Sequence, residues 1–162
     1  MSQTHAQKII HVACDHAGFE HKVEIVRWLR ELGHEVVDHG AKVMDKEDDY
    51  PDFISLAASA VSAAPDSSCG IIFGGSGQGE AMVANRFAGV RATVYYGGEV
   101  QIISLSRQHN DANILSIGAR FVSVEETKDC ITTWLSAEML PDPKYQRRNQ
   151  KIEHITRRIR IQ

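Results

Sequence analysis

Strand-like apolar runs alternate with segments of helical periodicity along most of this chain. Five short apolar runs predict strands at 9–14, 35–38, 69–73, 90–94 and 114–117. Five segments with helical spacing predict helices at about 19–32, 51–61, 81–87, 100–106 and 124–135. Parallel neighbouring strands need a long right-handed crossover, which a helix supplies. We therefore predict an α/β fold, a Rossmann-like three-layer sandwich whose five-stranded parallel sheet carries helices on both faces.

Length and charge limit the classes of function. The chain has 162 residues, which suits a single domain over 1–162 with a sizeable core. Its formal net charge of -3 gives no general attraction to nucleic acid or to an anionic membrane. We therefore expect no nucleic-acid partner and no membrane partner.

The N-terminus and the cysteines indicate the compartment. The polar segment Met1–Gln7 lacks the apolar core of a signal peptide, and no apolar run is long enough to cross a bilayer. Cys14, Cys69 and Cys130 are odd in number and far apart, which is typical of free thiols in a reducing compartment. We predict a cytoplasmic protein whose cysteines are structural.

A glycine-rich loop, Gly74–Glu80, stands between the apolar run 69–73 and a helix-like run. In a strand–loop–helix unit the free backbone N–H groups can meet an anion, and glycine lets a ligand come close. Because the loop ends on Glu80, the pattern indicates proton transfer rather than phosphate holding alone. A tight turn without a ligand would give the same pattern, and Glu80 would then only complement the helix dipole. In either case we expect the helix N-terminus to favour the ionised carboxylate.

Known phosphate and nucleophile motifs differ from this loop. A P-loop would end in Gly-Lys-Ser/Thr, which is absent. The dinucleotide fingerprint follows the first strand, whereas this loop follows the third. A nucleophile elbow would need glycine where Gln78 stands.

Other polar side chains follow the first and fifth predicted strands, where ligands bind in open α/β sheets. Asp15 and His16 come directly after the first strand, and Arg120 follows the fifth. Asp15 would also suit a helix N-cap. His109 lies in the segment 107–111 at the end of a helix, where a solvated or capping histidine is common, and the spacing alone does not bring it to the site.

The histidines do not form a metal motif. The chain has eight, without His-x-x-x-His spacing, and no Cys-x-x-Cys occurs. The pair His34 and His39 is one residue too far apart for the zinc-protease helix. We predict no metal site.

A basic C-terminal helix is predicted at about 143–160, after Pro141 and Pro143. Its apolar residues recur at helical spacing and must pack on the domain or on a partner subunit. Arg147 and Lys151 are four residues apart and share one face. These cations would suit a solvated face, a nucleic-acid patch or a clamp for one small phosphate.

Taken in order, these motifs resemble the type B ribose-5-phosphate isomerases and their sugar-phosphate isomerase relatives. The resemblance covers nearly the whole chain. The segments that carry it are Cys14–Gly18, Asp49–Asp52, Gly74–Glu80, Ala84–Ala92, Ser106–Asn113 and Gly118–Arg120.

The resemblance implies an aldose–ketose isomerase that interconverts ribose 5-phosphate and ribulose 5-phosphate. The reaction would pass through an enediolate after ring opening, without metal or organic cofactor. Many members begin the glycine loop with a cysteine base, and Gly74 stands at that position here. A second branch has glycine there and a glutamate at the loop's end, which makes Glu80 the expected base.

The resemblance also assigns the remaining roles. His109 is expected to help open the furanose ring, Asp15 to hold the ring oxygen or a hydroxyl, and Asn110 to bind the substrate nearby. The expected donors to the enediolate oxygen are the Ser76 hydroxyl and the backbone N–H groups around Gly75, Gly77 and Gly79. The side chains expected around the phosphate are His16, Arg120, Arg147 and Lys151.

In the family the cations of the C-terminal helix reach the neighbouring subunit's site, which implies a homodimer, with a tetramer also open. Lys151 stands where arginine is usual, and Arg148 where histidine is usual. Lysine keeps the charge but loses bidentate geometry. Two other functions stay open. One is an isomerase of a six-carbon substrate such as allose or galactose 6-phosphate; the other is a nucleotide- or nucleic-acid-binding module.

Overall fold

The computed structural model describes residues 8–160; the segment Met1–Gln7, on which the signal-peptide argument rests, lies outside them. The strands are β1 (Ile9–Cys14), β2 (Val36–Asp38), β3 (Ser68–Gly74), β4 (Ala92–Tyr95) and β5 (Ile114–Gly118). The helices are α1 (Phe19–Glu31), α2 (Tyr50–Ala63), α3 (Gln78–Ala84), α4 (Gln101–Asn110), α5 (Val124–Ser136) and α6 (Pro143–Arg160). A short 3₁₀ turn, His16–Gly18, joins β1 to α1.

The five strands form one parallel sheet in the order β2-β1-β3-β5-β4. All seven residues of the central strand β3 are buried, because helices cover both faces. One core cluster packs α1, α4 and α5 on the sheet through residues such as Leu29, Ile103 and Trp134. A second cluster packs α2 and α3 on the opposite face around Ile54 and Ala84. The predicted three-layer α/β fold with five parallel strands is confirmed.

Several predicted boundaries were off by one to four residues, and side-chain hydrogen bonds explain two of these differences. Strand β4 begins at Ala92 rather than 90, and helix α3 ends at Ala84 rather than 87. The side chain of Asn85 bonds to both the N–H and the C=O of Ala92, at 2.8 and 3.1 Å. These two hydrogen bonds of the Asn85 amide end the helix and begin the strand. The periodicity of apolar residues does not reveal such side-chain bonds.

A buried ion pair fixes the loop beside the end of β1. Lys22 is 2% exposed, and its Nζ donates to both oxygens of Asp38 at 2.9 and 3.0 Å and to Ala41 O at 2.6 Å. The backbone of Cys14 pairs with that of Gly40 and Ala41. These bonds fix the backbone from which Asp15 projects.

Helix α6 is anchored at the amino end of the sheet. The ring of Tyr145 stacks on that of His109, with centroids 4.4 Å apart. Glu153 bonds to Arg91 at 3.2 Å and to the N–H of Gly89 at 3.1 Å, just before β4. Three isoleucines of α6 remain exposed, namely Ile152, Ile155 and Ile159. Within residues 8–160 no helix combines the length and apolarity needed to span a membrane.

Candidate active site

The glycine loop is packed against the end of β5. Gly77 has φ 77°, in the left-handed region that favours glycine, and a β-carbon there would lie 3.0 Å from the carbonyl carbon of Ile117. Ser116 donates its hydroxyl to Gly77 O at 2.6 Å, and the N–H of Arg120 bonds to Gly75 O at 3.1 Å. The loop therefore has a fixed shape at the carboxyl edge of the sheet.

The carboxylate of Glu80 is buried above the end of β3. The residue is 4% exposed, and a β-carbon added to Gly74 would lie 1.9 Å from its Oε1. Burial raises the pKa of Glu80, and the charge of Asp15 raises it further, while a bond from its own backbone N–H lowers it. The backbone N–H at the start of the helix does favour the ionised form, as expected, but desolvation outweighs it and the net pKa is raised.

Asp15 acts as the predicted N-cap and also faces the site. Its Oδ1 accepts from the N–H of Ala17 at 2.9 Å and of Gly18 at 3.3 Å. The residue is 7% exposed, and its negative charge raises the pKa of Glu80. Asp15 therefore does form the N-cap that its position suggested. In this position its carboxylate also acts on the buried Glu80.

His16 is held by a residue that the sequence did not single out. Its Nδ1 lies 2.6 Å from Asp48 Oδ1, in the loop before α2. This bond raises the pKa of His16, with the charge of Asp15 adding to it, while burial and the charge of Arg120 oppose it. Asp48 lies in the acidic segment 45–52, where nothing in the spacing separates it from its neighbours.

Arg120 and the remaining glycines complete the carboxyl-edge group. A β-carbon on Gly75 would lie 3.1 Å from Arg120 Nη1, so the guanidinium rests against the loop. One on Gly79 would lie 2.9 Å from the Tyr50 hydroxyl. The predicted site residues at this edge are Asp15, His16, Gly75, Ser76, Gly77, Gly79, Glu80 and Arg120.

The other predicted site residues lie at the opposite edge of the sheet. Helix α4 runs from the carboxyl edge back to the start of β5, and the carbonyl of Asn110 accepts from Arg91 Nε at 3.0 Å, just before β4 begins. Strand β5 has five residues, so the two edges are separated by roughly 15 Å. His109 belongs to this amino-edge group, which also includes Arg147 and Lys151 on α6. One protomer does not bring the two groups together.

One grouping among the described residues has a spacing that could suit a cation. Asp15, His16 and Asp48 each offer a ligand atom within 4.8 Å of the others. His16 Nδ1 already bonds to Asp48, and Asp15 Oδ1 accepts from two backbone N–H groups. Hydrogen bonds and an ion pair within the protein account for this arrangement.

Comparison with known proteins decides the family. A family described as ribose/galactose isomerase matches residues 10–152. The chain belongs to the ribose/galactose isomerase family. It is 42% identical over 149 residues to ribose-5-phosphate isomerase B of Escherichia coli K12, covering 92% of this chain and 95% of that protein. It is 38% identical over 139 residues to ribose-5-phosphate isomerase B of Mycolicibacterium paratuberculosis, covering 86% of each chain. The predicted family is confirmed.

The fold comparison agrees with the sequence comparison. The crystal structure of ribose-5-phosphate isomerase B from Mycoplasma genitalium with bound ribulose-5-phosphate matches with a TM-score of 0.89 and 35% identity. The match covers 94% of this chain and 99% of that one. In an isomerase of this family, the carboxyl-edge group offers a buried carboxylate beside a loop of backbone donors, which suits proton transfer next to a developing oxyanion.

Proposed function

We propose that this chain interconverts ribose 5-phosphate and ribulose 5-phosphate through an enediolate, with Glu80 as the base and without a metal or organic cofactor. The observation that carries the base assignment is the Glu80 carboxylate, which is buried in the space where a side chain at position 74 would lie. That position is Gly74, so the cysteine base of many relatives is absent. The substrate assignment is supported by relatives named ribose-5-phosphate isomerase B.

The proton transfer uses the buried environment of the base. In the open-chain aldose, Glu80 takes the proton from C2, and the electrons move onto the carbonyl oxygen to form the enediolate. The same carboxyl group returns the proton to C1, while the hydroxyl proton on O2 passes to O1, so that the C2 carbonyl of the ketose forms. Because burial raises the pKa of Glu80, the carboxylate is a stronger base than an exposed one.

Donors at the start of α3 stabilise the charge that develops on oxygen. The first N–H groups of a helix have no partner within it, and they point toward the loop. We assign this role to the Ser76 hydroxyl and to the backbone N–H groups between Gly75 and Gly79, among which the N–H of Gln78 bonds to Ser76 Oγ at 3.4 Å. Each donor of this kind contributes about 3–4 kcal/mol of transition-state stabilisation in acyl-transfer enzymes, which sets the scale here.

The phosphate and the ring-opening group require a second protomer. His16 and Arg120 lie at the carboxyl edge, whereas His109, Arg147 and Lys151 lie at the amino edge of the same chain. A homodimer, or a tetramer of two such dimers, would place the amino-edge group of one protomer over the carboxyl-edge group of the other. The exposed isoleucines of α6 support this arrangement, because an unpaired apolar stripe favours a subunit contact.

In such a dimer, His109 transfers the proton that opens the furanose ring, and Asp15 holds the ring oxygen or a hydroxyl. Asn110 binds the sugar beside them. Arg147 and Lys151 neutralise the phosphate, which positions the reacting carbons from a distance.

The decisive experiment assays the purified protein on ribose 5-phosphate in EDTA. The wild type is expected to form ribulose 5-phosphate, and Glu80→Gln to lower kcat by at least about a thousandfold with an unchanged circular dichroism spectrum. Glu125→Gln is a matched control, since that side chain is 80% exposed and pairs only at the surface with Lys128. Near-normal turnover by Glu80→Gln would overturn the base assignment.

A six-carbon sugar phosphate is the second candidate substrate, because the family description includes galactose. A panel containing ribose, allose and galactose phosphates would rank the substrates by kcat/KM. Preference for a six-carbon substrate would replace the pentose assignment without changing the role of Glu80.

We also propose a reducing, cytoplasmic location. Its support is three free thiols, Cys14, Cys69 and Cys130, all buried. Fractionation of cells that express the protein would test this location.

A further inference from the structure

A carboxylate outside the predicted site holds the ring of His16 in place. Asp48 Oδ1 lies 2.6 Å from His16 Nδ1 and also accepts from the backbone N–H of His16 at 3.1 Å. Both bonds converge on one oxygen. The contact therefore fixes the backbone and the ring of His16 together, across 32 positions of sequence.

Asp48 is the more deeply buried member of the pair. The side chain of Asp48 is 7% exposed and that of His16 is 27% exposed. Asp48 Oδ2 is buried and has no hydrogen-bond partner within residues 8–160. A carboxylate in such a place is costly unless a positive charge lies beside it. The imidazolium form of His16 supplies that charge.

Three charged groups determine the protonation of His16. Asp48 raises its pKa through the hydrogen bond, and Asp15, with Oδ2 4.0 Å from Nδ1, raises it as well. Arg120 and burial lower it. The direction is upward, so the ring retains its proton at a higher pH than an isolated histidine does.

The bond to Asp48 also decides which atom of His16 faces the ligand. With Nδ1–H donated to Asp48, the remaining donor is Nε2–H, which is available on the partly exposed side of the ring. A sugar phosphate is a dianion above about pH 6. A charged donor near Arg120 attracts such a group, whereas a neutral imidazole offers no charge.

We propose that Asp48 is a positioning residue that orients His16 and favours its protonated form as a phosphate-binding cation. This inference rests on the proposed function, because it takes the phosphate of the substrate as the ligand of His16. Asp48 itself does not touch the substrate.

The kinetic test compares Asp48→Asn with the wild type on ribose 5-phosphate. The amide keeps the size of the side chain but loses the charge, so His16 is expected to lose its proton as pH rises. We expect KM to rise about tenfold at pH 8 and about twofold at pH 6, with kcat within about twofold of wild type. Asp45→Asn is the matched control, because Asp45 lies in the same loop, is exposed and bonds only locally to Glu47 N. It should leave KM unchanged at both pH values.

A second measurement does not depend on activity. Proton–carbon NMR follows the ring of His16 in the substrate-free protein, with the signal assigned by its loss in His16→Gln. The ring is expected to titrate above its ordinary value of about 6.5 in the wild type and to return toward that value in Asp48→Asn.

Two outcomes would overturn the proposal: a His16 titration that Asp48→Asn leaves unchanged, or a KM increase that is equal at both pH values. A folded wild type that does not act on ribose 5-phosphate would contradict the proposed function instead. The NMR comparison would then still decide whether Asp48 controls the charge of His16.

Discussion

The carboxylate of Glu80 fills the space that a side chain at Gly74 would occupy. A β-carbon there would lie 1.9 Å from Oε1 and 2.0 Å from Cδ of Glu80, far inside van der Waals contact. A side chain at position 74 and the carboxylate of Glu80 would therefore occupy the same space, and only one of them can be present. Glycine at 74 is thus a steric requirement for the present position of Glu80.

Gly74→Ala should displace the base. We expect kcat for ribose 5-phosphate to fall about a hundredfold, because a shift of about 1 Å in a reacting group has effects of that size. Steady-state kinetics with circular dichroism measures it. In the double variant, Gly74→Ala should lower kcat little below the value for Glu80→Gln alone, since the side chain it displaces can no longer accept the proton. Equal losses in both backgrounds would show that Gly74 acts independently of Glu80.

Glu80→Gln should stabilise the fold at neutral pH. Burial raises the pKa of Glu80 in the folded protein, so the unfolded chain releases this proton at a lower pH, about 4.3. Between the two pKa values the folded state binds more protons, and stability therefore falls as pH rises. The side-chain amide of the Glu80→Gln variant does not ionise, so the variant avoids this loss of stability. Calorimetry should show a Tm higher by several degrees at pH 7, at about 2–4 °C per kcal/mol, and little difference near pH 4. Glu125→Gln should not reproduce the pattern.

The pair His11 and His39 should make the fold sensitive to acid. His11 Nδ1 lies 2.9 Å from His39 Nε2, and burial lowers the pKa of both rings. Below about pH 6.5 the unfolded chain binds more protons at these positions, so stability decreases as pH falls. Tm should drop between about pH 7 and pH 5, and His39→Gln should make the decline shallower.

The control for this pair is His154→Gln, on an exposed position of α6. It should leave the pH dependence of Tm unchanged. His16 has a raised pKa and contributes stability that is lost as pH rises, so it is kept intact in both variants. If Tm falls with pH as steeply in His39→Gln as in the wild type, then groups other than this pair cause the acid sensitivity.

Two inactive variants should complement each other if the two edge groups meet across a dimer. Glu80→Gln lacks the proposed base, and His109→Gln lacks the proposed ring-opening group. In an equal mixture that has exchanged subunits, half of the dimers are mixed, and each has one intact site. Activity should therefore reach about a quarter of the wild-type value. Mixing Glu80→Gln with Gly74→Ala is the control, since both changes affect the same edge. Failure of the first mixture despite exchanged subunits would argue against shared sites.

The sequence predicted the parallel sheet and the carboxyl-edge group because both depend on local patterns. Asp15 follows β1 directly and Glu80 follows β3 across the short glycine loop, so the strand pattern fixes their edge of the sheet. The raised pKa of Glu80 was not predictable, since it depends on tertiary burial rather than on its place in a helix. Asp48 belongs to an irregular acidic loop, where no periodicity indicates which carboxylate turns inward.

His109 shows a different limit of sequence reasoning. Its motif suggests a role in the site, yet the direction of α4 takes it to the opposite edge. That direction follows from the parallel pairing of β4 and β5, because the helix that joins them must run back to the amino edge of the sheet. In the proposed dimer a second protomer brings His109 to the site, which the pattern of a single chain does not show.

The burial of all three thiols has a consequence for oxidative chemistry. Burial raises the pKa of Cys14 to about 12, of Cys69 to about 11 and of Cys130 to about 12, so thiolate is scarce at neutral pH. Peroxides and alkylating agents attack the thiolate form. The base proposed above, Glu80, is a carboxylate and would need no sulfur. This isomerase should therefore keep working under oxidant stress that silences enzymes with a cysteine nucleophile.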